Sequence, residues 1–199
     1  MDLFKLTDQI IATLPENQRF SDKDSALLLR FKDQLLSLED EVVKGFYDEI
    51  EENPHMSNLI SANGSRADRE KTLRRFWQRT FNGNHDASFW AWQSLVGIVH
   101  IKVGVKNPMM MGMWQWIVSW LRERLTVDIV GDEQTLKQVM ASVERLALTA
   151  QVITAESYLL NYLETVVRLT GFKPALLQRM FDMEINTVLA EARQQLGHV

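Results

Sequence analysis

Residues 89–108 read F-W-A-W-Q-S-L-V-G-I-V-H-I-K-V-G-V-K-N-P, with a single histidine, His100, in a largely apolar run. At the helical period of 3.6 residues, His100 shares one stripe with Gln93, Val96 and Val103. An imidazole therefore projects from an otherwise apolar helix face. A single buried histidine is usually a core residue bonded to a backbone carbonyl, so the residues alone leave both a core role and a ligand role open.

The rest of the chain also has a helical period, and no alternating run bounded by turn residues indicates a strand. We therefore predict an all-α fold. Gly104 is expected to end the helix that carries His100, and the next helix is expected to run to about Val130. Residues that favour helix N-caps precede the predicted helices at Ser21, Ser37, Ser65, Asp86, Asn107 and Asp132.

Residues 133–170 contain neither proline nor glycine, which predicts one helix about 55 Å long at about 1.5 Å per residue. Its apolar residues keep the alternating spacing of three and four that is typical of a helix-pairing seam. The helix is either kinked around its own core or paired, in its far half, with another subunit. We favour the second interpretation and expect a homodimer through helices 109–130 and 133–170.

The composition of the chain limits the classes of protein to which it can belong. The chain has 199 residues, 46% hydrophobic and 24% charged, as in a globular protein. The formal charge of −4 offers no basic surface for nucleic acid, and the absence of cysteine suits a reducing, cytoplasmic setting. The most apolar run, 109–121, is shorter than the roughly 20 residues that cross a bilayer, so we expect no membrane insertion.

No phosphate-binding loop, zinc-peptidase motif or hydrolase nucleophile motif is present in the sequence. His55 and His85 stand beside turns and His198 stands near the terminus. None of the three is followed by a second candidate ligand three or four residues later in the sequence, so a zinc or di-iron site is not expected.

The segment V-G-I-V-H-I-K-V-G-V at 96–105, followed by Asn107-Pro108 and an aromatic-rich helix, resembles the proximal-histidine stretch of the globin-coupled sensor and protoglobin family. F-Y-D-E-I at 46–50 is similar to the helix that supplies the distal tyrosine of that family. K-T-L at 71–73 is similar to the distal segment in which some members place a threonine. The resemblance implies a globin-like helical fold with an added N-terminal helix and long C-terminal helices.

The resemblance also implies a cofactor, haem b, with His100 as the ligand of the iron. It implies that Tyr47 donates a hydrogen bond to a bound gas, with Thr72 as a weaker second donor. Lys102, Lys106 and Arg69 are the candidates for pairing with a haem propionate, and the sequence does not choose among them. The residues expected to line the pocket are Phe46, Leu73, Phe76, Trp77, Val96, Val103 and Trp114.

Gly97, one turn before His100, has two interpretations. It either leaves space for the flat ring of a haem or allows two helices to pack closely. The sequence does not decide between them.

Relatives of this kind bind dioxygen, nitric oxide or carbon monoxide, often as the sensory input of a signalling protein. We therefore expect residues 1–170 to form a haem-binding sensor domain and the helix within 171–199 to serve signal transfer or dimerisation. Two alternatives stay open: a haem-free interaction module of globin shape, and a haem enzyme acting on nitric oxide or peroxide. We expect gas binding rather than turnover.

Overall fold

A computed structural model of the chain describes residues 2–197. Within that range every regular element is a helix, which confirms the predicted all-α class. The α-helices are α1 (Leu3–Thr13), α2 (Asp22–Arg30), α3 (Lys32–Ser37), α4 (Glu39–Glu52), α5 (Pro54–Ser61), α6 (Arg66–Asn82), α7 (Ala87–Val103), α8 (Asn107–Arg124), α9 (Val127–Val130), α10 (Glu133–Thr170) and α11 (Pro174–Gln195). A 3-10 helix, Glu16–Gln18, lies between α1 and α2.

Most of the predicted helix starts are confirmed by the hydrogen bonds that cap them. Ser21 and Asp24 form a reciprocal capping box at the start of α2. Asp86 accepts a hydrogen bond from the backbone N–H of Phe89 at 2.9 Å and so caps α7. Gly104 ends α7 with φ 80°, a left-handed conformation that glycine adopts without steric cost.

Two predicted caps and one predicted helix are wrong. Ser37 lies in the last turn of α3, where its hydroxyl donates to the carbonyl of Gln34, and α4 begins without a side-chain cap. Asn107 is the first residue of α8, and its amide donates instead to the carbonyl of Ala155 at 3.4 Å. The helix expected to reach Val130 ends at Arg124, because Leu125 is extended and the short α9 follows.

The chain folds as two compact units, Met1–Tyr158 and Leu159–Val199. The first unit holds α1 to α9 and the first part of α10. Its core is built from large side chains such as Trp77, Phe89 and Leu121. Full burial of each such side chain contributes about 1.5–3 kcal/mol, and this burial is the main force that holds the helices together.

A buried ion pair joins α2 to α10 in the first unit. Asp24 is only 4% exposed and accepts hydrogen bonds from Arg145 and, at 2.7 Å, from the Ser142 hydroxyl. Burial alone would raise the pKa of Asp24, but the hydrogen bonds from Arg145, Ser21 and Ser142 together hold it well below its usual range. Asp24 therefore stays ionised and fixes α2 against the long helix.

Buried hydroxyl groups join α7 to its two neighbours. On one side, the hydroxyls of Thr7 in α1 and Ser94 in α7 lie 2.7 Å apart. On the other side, the Ser157 hydroxyl of α10 donates to the Ser94 carbonyl at 2.8 Å. Hydrogen bonding of these hydroxyls removes the cost of burying them, so α7 is held in register on both sides.

The second unit consists of the end of α10 and the whole of α11. Gly171 separates the two helices with φ 68°, as the sequence predicts. No residue of α11 is buried, and its exposed apolar side chains include Met180, Met183 and Val188. Across residues 2–197, no helix has the length and apolarity that a bilayer crossing requires.

Candidate ligand-binding site around His100

His100 lies in the last turn of α7 and is partly buried. Its Nδ1 atom is buried and has no hydrogen-bond partner among the described residues. Desolvation lowers the pKa of the imidazole to about 4, and no charged or hydrogen-bonding group opposes that shift. His100 is therefore neutral near pH 7, with a lone pair available for a metal.

His85 shows what a satisfied core histidine looks like in the same chain. Its Nδ1 lies 2.8 Å from the Ser25 hydroxyl and its Nε2 lies 2.8 Å from the carbonyl oxygen of Thr80. Its ring packs edge-on against Phe20 and Phe89. Both nitrogens are used, so His85 has a structural role and His100 differs from it in kind.

The other two histidines offer no second ligand. His55 is exposed at the start of α5, and His198, predicted to stand near the terminus, lies outside the described residues. Residues 2–197 contain no group of three or more histidine, aspartate or glutamate side chains that could hold a metal ion. A single imidazole is enough, however, where a porphyrin supplies the other iron ligands.

Tyr47 is directed into the core from α4, and its side chain is 6% exposed. Burial raises the pKa of its phenol to about 12, while the nearby charge of Arg69 acts in the opposite direction. The Phe46 ring packs edge-on against it at a centroid distance of 5.4 Å. Tyr47 is thus a protonated phenol in apolar surroundings, which makes it a hydrogen-bond donor at any physiological pH.

Aromatic rings from three helices meet at Phe76 of α6. Phe76 contacts Trp92 of α7 at 5.4 Å and Trp114 of α8 at 5.6 Å between ring centroids. Leu73, one turn earlier on α6, is buried in the same core as Tyr47 and Trp114. The structure therefore brings together, in one apolar core, six of the residues expected near the cofactor: Phe46, Tyr47, Leu73, Phe76, Trp77 and Trp114.

Two residues of α6 form hydrogen bonds that bear on their predicted pocket roles. Trp77 is 1% exposed, and its indole N–H donates to the carbonyl of Leu35 in α3 at 2.9 Å. Thr72 is exposed, and its hydroxyl donates to the carbonyl of Asp68 at 3.1 Å. These bonds favour a core role for Trp77 and a solvent-facing role for Thr72, and the pocket roles of both stay predictions.

The predicted residues of α7 flank His100. Val96 and Val103 are partly buried, while Lys102 is exposed and forms no ion pair with any described residue. The end of α7 contacts the turn after α5, because the Asn63 amide donates to the Val103 carbonyl at 3.0 Å. The propionate role of Lys102 stays a prediction.

Gly97 serves helix packing. A Cβ atom at this position would lie 2.5 Å from the carbonyl oxygen of Thr154 and 3.0 Å from the backbone nitrogen of Tyr158. Of the two interpretations that the sequence left open, close packing of α7 against α10 is the one that the structure supports. The missing side chain is needed because two helix backbones approach each other there.

Two polar groups near the site did not stand out in the sequence as functional. The guanidinium of Arg79 lies 4.4 Å from the centre of the Trp92 ring, a cation–π contact between α6 and α7. Gln93, on the same helical stripe as His100, is 1% exposed, and its Nε2 has no partner among the described residues. Of these two residues, only Gln93 could have been noticed in the sequence, because it is a polar residue on an otherwise apolar helix face.

Comparison with known proteins identifies the family and the fold of the chain. The protoglobin family model matches residues 7–164 of the chain. The chain is similar in structure to the globin domain of the Geobacter sulfurreducens globin-coupled sensor, with a TM-score of 0.64 and 18% sequence identity. That alignment covers 76% of this chain and 96% of the other one. The predicted globin-like fold is confirmed.

Proposed function

This chain belongs to the protoglobin family, and we propose on that basis that it binds haem b through His100 and takes up a diatomic gas. The gas is dioxygen, nitric oxide or carbon monoxide. We further propose that the chain acts as a sensory input, with residues 1–170 as the gas-binding domain and 171–199 as the element that passes the signal on.

The observation that carries this proposal is the unpartnered Nδ1 of His100. A buried polar atom with no hydrogen bond costs about 1–3 kcal/mol, so it persists where another requirement maintains it. The neutral state of the ring, with its pKa lowered to about 4, is the state in which an imidazole can bind a metal. The residue would therefore suit the role of a haem-iron ligand better than that of a core histidine.

Bound haem would supply an iron centre for the gas, and His100 would be the residue that holds the iron. The residues of the chain provide the surroundings. The apolar side chains of Phe76 and Leu73 would exclude water from the pocket. Val96 and Val103 lie on either side of His100 along α7. Exclusion of water strengthens any hydrogen bond formed inside the pocket.

Tyr47 is the proposed hydrogen-bond donor to the gas. Burial keeps its phenol protonated, with a pKa of about 12, so the hydroxyl remains a hydrogen-bond donor throughout the physiological pH range. A donor favours a ligand that carries partial negative charge on its outer atom over a ligand that does not. Tyr47 would therefore discriminate in favour of dioxygen over carbon monoxide.

The proposal also covers the oligomeric state of the chain and its location in the cell. We propose a homodimer that uses α8 and α10, supported by exposed apolar side chains on those helices, such as Met111 and Leu148. A cytoplasmic location is supported by the absence of cysteine in the sequence.

Haem titration of the purified chain tests the proposal. Six tryptophans are present, so uptake is expected both as a porphyrin absorption band and as quenching of tryptophan fluorescence. His100→Ala should lose most of the retained haem on gel filtration, whereas His55→Ala, a change at an exposed position, should keep it. Absence of the band in the wild-type chain after haem addition would refute the gas-binding function.

A further inference from the structure

The last turn of α7, which carries His100, is bonded at its end to a side chain from another part of the fold. The last four carbonyl groups of an α-helix have no partner within the helix. In α7 the carbonyl of Ile101 accepts the backbone N–H of Gly104 at 3.3 Å. The carbonyl of Val103 accepts the side-chain amide of Asn63 at 3.0 Å. Asn63 lies in the turn between α5 and α6, so this turn supplies part of the cap of α7.

The turn that carries Asn63 is itself fixed by hydrogen bonds. The amide nitrogen of Asn63 has two hydrogens, and its second bond goes to the carbonyl of Leu59 at 2.9 Å. From α6, the Nη1 atom of Arg69 donates to the carbonyls of Ile60 and Gly64. The turn is therefore bonded both to the helix before it and to the helix after it, and these bonds fix the position from which the amide reaches α7.

A side-chain contact joins the same two segments. A Cβ atom added to Gly104 would lie 3.1 Å from Cδ1 of Leu59, so Leu59 packs against the residue at which α7 ends. Gly104 has φ 80°, a conformation that favours glycine, and the absence of a side chain there leaves room for Leu59. The end of α7 is thus held by one hydrogen bond and one close contact, three and four residues after His100.

The ring of His100 is not oriented by a hydrogen bond. Its Nδ1 has no partner, and no carboxylate or carbonyl of the described residues bonds to the ring. Histidines that bind a metal usually donate their second ring N–H to such a group, which fixes the direction of the ring. In this chain the direction has to come from the backbone of the last turn of α7 and from the packing around it. A group that fixes this turn therefore also fixes the imidazole.

We propose that Asn63 is a positioning residue for His100: its bond to Val103 fixes the last turn of α7 and thereby the direction in which the imidazole meets the haem iron. The inference rests on the proposed function, because it takes His100 as the iron ligand. It goes further by making the turn between α5 and α6 a determinant of the strength of the iron–imidazole bond.

Hydrogen exchange of the haem-free chain tests the contact between Asn63 and α7. Asn63→Ala removes both donated bonds, and Asn63→Asp also places a carboxylate beside two carbonyls. Loss of a hydrogen bond should make amide exchange of residues 100–104 roughly fivefold to tenfold faster in both variants. Asn58→Ala is the matched control and should leave the exchange unchanged. Asn58 is an exposed asparagine of the neighbouring helix α5, and its side chain bonds to no described residue.

Resonance Raman spectroscopy of the ferrous, haem-loaded chain tests the positioning role. The iron–imidazole stretching band should move to lower frequency and broaden in Asn63→Ala and Asn63→Asp, because a ring that is held less firmly forms a weaker and less uniform bond. Haem should also dissociate roughly tenfold faster, as is typical when a residue that orients a metal ligand is lost. Asn58→Ala should leave both the band and the dissociation rate as in the wild type.

The outcomes distinguish this inference from the proposed function. Unchanged exchange in Asn63→Ala would show that the amide does not hold α7. Faster exchange with an unchanged band would show that the contact serves stability alone, and a band that moves only in Asn63→Asp would assign the effect to the added charge. Each of these results, in a chain that binds haem, overturns this inference alone. A wild type that takes up no haem would refute the proposed function and this inference with it.

Discussion

A Cβ atom added to Gly97 would lie 2.5 Å from the carbonyl oxygen of Thr154, so α7 and α10 touch through their backbones one turn before His100. This contact ties the helix of the proposed iron ligand to the longest helix of the chain. A shift of α7 caused by a ligand at the iron would therefore reach α10 without an intervening loop.

The first prediction concerns that contact. Gly97→Ala should destabilise the chain by about 1–3 kcal/mol, because the added methyl group forces two helix backbones apart. Gly112→Ala is the matched control, since a Cβ there meets no atom within 4 Å. The control should stabilise α8 by roughly 0.5–1 kcal/mol through the better helix propensity of alanine. Urea denaturation measures both, and a Gly97→Ala variant as stable as the wild type would contradict the close contact.

The second prediction concerns the cost of keeping His100 unpaired. In the haem-free chain, His100→Leu should raise the free energy of unfolding by about 1 kcal/mol near pH 7, because it removes a buried atom that has no partner. The same variant should lose all retention of haem. Lower stability of His100→Leu in the haem-free chain would show that the ring contributes to packing.

The pH dependence of that difference follows from the pKa of His100. The pKa is about 4 in the folded chain, below the value of 6.5 for a free imidazole, so the unfolded chain binds more protons between these values. The wild type should therefore lose stability as the pH falls from 6.5 toward 4, by at most about 1.4 kcal/mol per pH unit. The advantage of His100→Leu should grow over the same window, and a constant difference would contradict burial of the neutral ring.

The third prediction concerns Tyr47. Tyr47→Phe should speed dioxygen release about tenfold, equivalent to roughly 1.4 kcal/mol of lost hydrogen bonding, while carbon monoxide release changes less than twofold. Thr72→Val serves as comparison, because the Thr72 hydroxyl donates to the Asp68 carbonyl, and it should change neither rate by more than twofold. Stopped-flow ligand exchange measures both rates. Equal effects of Tyr47→Phe on the two gases would exclude a donor role.

The fourth prediction concerns assembly. Leu148 is 36% exposed on α10, and Leu148→Glu should convert the proposed dimer to a monomer, because a charge would have to be buried in an apolar interface. Phe4→Glu is the control, since Phe4 is also an exposed apolar residue but lies on α1, outside the proposed interface. Sedimentation velocity distinguishes the two species. A monomeric wild type at micromolar concentration would contradict the dimer.

Much of the fold follows from local signals in the sequence. The Ser21–Asp24 capping box and the uninterrupted helix from Glu133 to Thr170 were predictable because each depends on residues close together in the chain. The cap predicted at Asn107 was wrong, because a tertiary hydrogen bond replaces the local one. The side-chain amide of Asn107 donates to the carbonyl of Ala155 in α10 and does not cap its own helix. The cap predicted at Ser37 was wrong because its hydroxyl donates to the carbonyl of Gln34 within the preceding helix, α3.

The site was less predictable than the fold. Residue pattern alone could not tell whether His100 had a partner, since that depends on which carbonyls the other helices bring near it. The ambiguity at Gly97 had the same cause, because only the position of α10 decides it. Arg66 and Arg74 pair with carboxylates and Arg69, among the described residues, does not. The periodicity of the sequence cannot predict that difference, because it depends on which side chains other helices bring near each arginine.

The most direct test of the central claim is a resonance Raman spectrum of the ferrous, haem-loaded chain with and without ¹⁵N-histidine labelling. An iron–imidazole stretching band should be present, should move to lower frequency with the label, should be absent in His100→Gly and should return when free imidazole is added to that variant. A band that is unchanged in His100→Gly, or that does not respond to the label, would show that another group binds the iron.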